Sequence, residues 1–173
     1  MGIREDITDN VSAFIRRVTG LSTGNVIPAN VGGPRPTLPY VTVLIVSQVD
    51  GYQPYQQQKL VDDEPVEVIE SDNSYRVSVQ AFGDDAFGIL ETVRHGSSSE
   101  DAIRFNTENG IQIQDVGAVV DGSIYLQTSF EDRAILDIIV GYKSRSYMAA
   151  VVPVEEVAAD INDGDTTIDV EIN

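Results

Sequence analysis

A chain of 173 residues with 28 acidic and 11 basic side chains carries a formal charge of −17. That balance opposes nucleic-acid binding unless a local basic patch intervenes, and the absence of cysteine excludes a disulfide framework and thiolate metal sites. The length suits one domain with a substantial core, and no apolar run approaches the ~20 residues of a membrane-spanning helix.

The first ten residues, MGIREDITDN, place acid where a secretory signal carries its apolar stretch, and Asp6 stands where a myristoylation site wants Ser or Thr. Synthesis in a reducing cytoplasm is the default expectation. Ile3, Ile7, Val11, Phe14, Ile15 and Val18 fall on one helical face, which predicts a helix over 3–19 ended by Gly20. Arg16-Arg17 reads as its solvated end. Glycines and prolines make 20–38 a long loop, and Pro39–Val49, apolar on both parities, suits a central strand. Residues 50–64 are rich in Tyr and Gln and predict an irregular loop. Tyr52 and Tyr55 are its candidate contact residues if it reaches a neighbour.

Val66–Glu70, a Ser71-Asp72-Asn73-Ser74 turn, and Tyr75–Phe82 predict a hairpin. Asp84 is the expected N-cap of a helix over 85–95, and Ser98 or Ser99 that of a short helix ending near Phe105. Strands are expected at Ile111–Val120 and Ser123–Phe130, joined at Asp121-Gly122, and then a long one over 132–148. In that strand Ala134, Leu136, Ile138, Val140 and Tyr142 alternate with a more polar set, so one face is buried. After Arg145 the chain has seven acids and no base. Residues 153–173 are therefore expected to form a separate acidic hairpin or arm beyond a domain of 1–152. The order of elements predicts an α+β fold: a mostly antiparallel sheet with helices on one face.

The residues offer little chemistry. His95, the only histidine, sits at a predicted helix end, where the last carbonyls explain it. The acid pairs Asp62-Asp63-Glu64, Asp84-Asp85, Glu100-Asp101 and Glu155-Glu156 lack the apolar setting that raises a catalytic carboxyl. The run DINDGDTTIDVE misplaces Gly164 for a calcium loop and reads as a turn. No catalytic, cofactor-binding or metal-binding residue is expected. Arg76, Arg133 and Asp137 lie on the polar parity of strong strands. If those strands are neighbours, an Arg–Asp pair could form there. Ile135 and Ile139 share that parity, which favours a subunit interface over a solvated face.

Three segments, Leu38–Val43 (LPYVTV), Tyr75–Phe87 (YRVSVQAFGDDAF) and Phe130–Asp137 (FEDRAILD), follow an N-terminal helix in this order. Together they resemble the neck-terminator or tail-terminator-like proteins of tailed bacteriophages, over roughly residues 3–150. The FEDRA entrance to the long strand is the most characteristic piece. The resemblance implies a non-enzymatic virion subunit, assembled in the host cytoplasm into a ring, usually a hexamer. Such a ring caps the tail tube and joins it to the head connector, with DNA passing through the lumen and no membrane involved. It also marks Arg133, and less directly Asp137, as structurally important. The rival readings are another neck, connector or tube-like component, or a monomeric binding domain or hydrolase with a pocket near Asp84-Asp85 or His95.

Overall fold

The computed structural model describes residues 2–30, 32–61, 64–126 and 129–149; at 60, 61, 64, 65, 126, 129 and 146–149 it gives the backbone path alone. The expected acidic hairpin at 153–173 lies outside the described residues.

Helix α1 spans Ile3–Thr19. Acids in its first turn and Arg16 and Arg17 in its last complement the helix dipole. The Glu5 carboxylate accepts from the Gly2 N–H at 3.0 Å. Gly20 ends the helix in the left-handed region at φ 73°, where a side chain would be strained, and its N–H reaches the Arg16 carbonyl. Ile7, Val11, Phe14 and Ile15 are buried on one face. The following loop contains a 3₁₀ turn at Thr23–Asn25 and a short strand β1, Val26–Pro28.

The sheet is built on two long strands, β4 (Glu64–Phe82) and β9 (Arg133–Ala149). They pair antiparallel without a bulge from Phe82↔Arg133 to Val66↔Ala149. At ~3.4 Å per residue this ladder is about 55 Å long. Strand β2 (Tyr40–Gly51) and then β3 (Tyr55–Val61) run along one edge of β4. Strand β5 (Ile111–Val116) and then β6 (Val120–Asp121) run along the far edge of β9. β1 adds parallel to β2, and β7 (Ile124–Leu126) with β8 (Ser129–Glu131) forms a separate hairpin.

Helices α2 (Ala86–Gly96) and α3 (Glu100–Glu108) join α1 on one face of the sheet. The core consists of Val41 and Val43 from β2, Val77, Val79 and Ala81 from β4, Ala134, Leu136, Ile138 and Val140 from β9, and the apolar faces of the helices. The fold is thus α+β, as the element order predicts.

Five local expectations are corrected. The hairpin at 71–74 does not exist, because β4 continues straight through. β9 pairs along its whole length, and the turn-forming side chains are absorbed locally: Asn73 donates to Ser71 Oγ at 2.6 Å, Gln48 donates to Asn73 at 3.0 Å, and Ser74 donates to Gln114 at 2.9 Å. Pairing overrides turn propensity here. Much of the expected loop at 50–64 is strand β3. Asp84 does not cap α2; Asp85 occupies that position at φ 60° with no side-chain cap bond. The strand expected at 111–120 stops at Val116, and that at 123–130 is divided between β7 and β8. Ser99 caps α3, accepting from Ala102 N–H at 3.2 Å.

Candidate functional site

Successive side chains of a strand point to opposite faces, so the parity that is not core forms a second, helix-free face among the described residues. Arg76, Ser78, Gln80 and Phe82 of β4 lie there opposite Ile139, Asp137, Ile135 and Arg133 of β9. The expected Arg–Asp pair does not form within the subunit. Arg76 faces Ile139, so Asp137 lies only diagonally from it, and both are exposed without an ion-pair partner among the described residues. Arg133 turns the other way. It donates to Gln80 Oε1 at 2.6 Å, and its guanidinium lies 5.4 Å from the centre of the Phe82 ring. Phe82 in turn stacks on Tyr40 at 4.8 Å. Ile135 and Ile139 are half-buried, Ile135 partly because the turn at Gly122 crosses it. Val46 and Val120 are exposed.

The rest of FEDRA fixes this end of the sheet. Glu131 binds Arg35 at 2.5 Å, the Asp132 carboxylate accepts from Ser123 Oγ at 3.1 Å, and the Asp132 carbonyl accepts from Gly83 N–H at 3.0 Å. Gly83 has φ 97°, and a side chain there would press on Leu38. Phe130 and its cross-strand partner Tyr125 stay exposed, and Phe130 shares a hollow with the exposed Leu38. No periodicity in the sequence marks this apolar end.

At the other end, β3, β4 and β9 run on as a three-stranded arm. Its centre is Glu70, only 3% exposed. Tyr55 Oη donates to it at 2.5 Å and Lys59 Nζ at 3.1 Å, Arg145 Nε forms an ion pair with it at 2.8 Å, and Lys143 Nζ lies 3.8 Å away. Tyr55 also accepts from Lys143 at 3.4 Å. Lys59 and Lys143 are the only lysines in the chain. The Tyr55 and Lys59 hydrogen bonds, helped by Arg145, outweigh burial and lower the Glu70 pKa to about 2. The Tyr55 hydrogen bond, then Asp72, raises Lys143. Of the two tyrosines singled out from sequence, Tyr55 therefore commits its hydroxyl inward. Tyr52, 72% exposed, stands on the bend between β2 and β3.

A groove of about 710 Å³ lies between α3, β5 and the start of the arm, lined by Tyr52, Asp72, Asn106, Gln112, Gln114 and Lys143 among others. It brings no carboxylate pair together. Asp84, Asp85, Glu100 and Asp101 are all exposed. Asp101 serves α1–α3 packing: its hydrogen bonds from Arg17, at 2.6 and 2.7 Å, hold its pKa down to about 2. His95 is exposed and bonds Glu91 one helical turn earlier at 3.1 Å.

Extended strands, a sheet face left to side chains alone and an arm around a buried carboxylate are features of an assembly subunit more than of a reaction vessel. The family model for phage neck terminator proteins matches residues 5–169. The chain belongs to the phage neck terminator family. A search of curated proteins finds no match. Family membership makes the chain a structural phage protein of the head–tail junction, a component of the virion's tail or neck. The match includes most of the acidic C-terminal segment and so extends past the residues 3–150 that carry the sequence resemblance.

Proposed function

We propose that copies of this chain, six by the family resemblance, form a ring that terminates the tail tube and joins it to the head connector. DNA passes through the lumen. The family match over residues 5–169 carries this reading. Its partners are then itself, the tail tube protein and the connector or neck proteins, and assembly takes place in the host cytoplasm. Two physical features agree with it. A formal charge of −17 per subunit, repeated around a ring, disfavours phosphate contacts that would hold DNA in transit. The helix-free face offers Arg76 and Asp137, with no ion-pair partner among the described residues, beside the half-buried Ile135 and Ile139, for contacts with a neighbour. Tyr52 is a second candidate contact. Tyr55 and Arg133 act by holding the arm and the sheet end in shape. The acidic residues 153–173 serve as an extension beyond the 1–152 domain.

Gold labelling of the subunit in purified virions, viewed by negative stain, tests the placement. The expected result is label at the neck alone. Label along the tail or at the baseplate would overturn it.

A further inference from the structure

The two outer edges of the arm lack proline and bulges, two of the features that normally protect a strand edge. Along β3 residues 55–61 pair only with β4, and along β9 residues 143–149 do the same, because β5 stops pairing at Tyr142. Each of these seven-residue edges thus has an outer side with no partner strand among the described residues. Natural sheets blunt such edges with proline, bulges or outward charges. Neither segment contains proline, and neither pairing with β4 has a bulge. In contrast, β2 and β5 are both interrupted by register shifts. The charged residues on the two edges, Lys59, Lys143 and Arg145, are partly exposed, but all three are drawn toward the buried Glu70.

The two edges also suit each other. Both β3 and β9 run antiparallel to β4, so they are parallel to each other and lie on opposite sides of one arm. The β3 edge of one copy can therefore continue the sheet of the next copy along its β9 edge. That contact is head-to-tail, the kind that closes into a ring. Resting on the ring reading above, we infer that the arms join edge to edge, β3 of one subunit against β9 of its neighbour, into one continuous sheet around the assembly. A ring of about five to seven arms would hold roughly 15–21 strands, the size range in which barrels enclose an aqueous channel.

The absence of native cysteine makes the test clean. Gln56→Cys or Gln58→Cys on β3 is combined with Ser144→Cys on β9, on the same face of the arm by the β4 register. Within one subunit these positions are separated by β4, at least about 9.5 Å at ordinary strand spacing. A disulfide needs Cα atoms within about 7 Å, so any bond must join two subunits. Oxidation of assembled particles carrying a double variant should give a ladder of covalent multimers ending in one closed species, while single-cysteine variants stay monomeric. Efficient dimers from single variants would show β3–β3 or β9–β9 pairing and overturn the inference. Rings visible by negative stain without any cross-linked ladder would overturn it too, while leaving the ring itself standing. Absence of rings, with label away from the neck, would instead defeat the reading on which it rests.

Discussion

Between Tyr75 and Phe82, β4 alternates the buried Val77, Val79 and Ala81 with polar residues, and three helices cover the buried set. Between Val66 and Ser74 the same strand, paired with the same partner, contributes nothing to that core; Val68 is buried there but outside the cluster. What occupies the centre instead is Glu70 with Tyr55, Lys59, Lys143 and Arg145. One half of the ladder is held by apolar burial, which is non-directional and strong per residue. The other is held by a polar cluster that ties three strands together, with no further strand on either outer edge among the described residues. The difference suggests a division of labour, with a self-sufficient domain at one end and a segment shaped for a neighbour at the other.

The largest effect should come from the core half. Leu136→Ala empties a fully buried site on β9 and should cost about 2–5 kcal/mol in urea unfolding. Arg133→Ala, at the entrance of the same strand, loses the Gln80 hydrogen bond and the Phe82 contact. It should cost about 1–2 kcal/mol, and unchanged stability would remove Arg133 from the account. Glu70→Gln should leave the urea midpoint near that of the natural chain but speed amide exchange in 55–61. A midpoint drop as large as that of Leu136→Ala would mean that arm and domain are one cooperative unit.

Acid should sharpen the same contrast. Glu70 has its pKa lowered from 4.5 to about 2 in the folded chain. Its stabilising contribution is therefore complete above about pH 4.5 and is lost as the pH falls through about 2. Exchange in the arm should rise across that window, and Glu70→Gln should abolish the pH-dependent part of the rise. Asp101, lowered to about 2 by Arg17, loosens the α1–α3 contact over a similar range. That effect should persist in Glu70→Gln.

The domain half was largely legible in the sequence, the arm hardly at all. Helix α1 follows from a 3.6-residue apolar period closed by Gly20, and β9 from one wholly apolar parity between Ala134 and Tyr142. Ser71-Asp72-Asn73-Ser74 misled because local turn chemistry says nothing of a partner strand some 70 residues away that pairs through it. Strand β3 hides in Tyr and Gln because neither of its faces meets the apolar core, so no alternation marks it. The Glu70 cluster draws on positions 55, 59, 70, 143 and 145, which only tertiary pairing brings together. FEDRA was readable as a family marker, but the choice of Arg133 between Asp137 and the Phe82 ring depends on the sheet register.

Hydrogen exchange compared between the isolated subunit and assembled virions bears most directly on this division. Amides in 55–61 and 143–149 should exchange fast in the free subunit and become strongly protected on assembly, while 134–140 stay protected in both. Equal exchange of the two arm edges in both states would contradict the account.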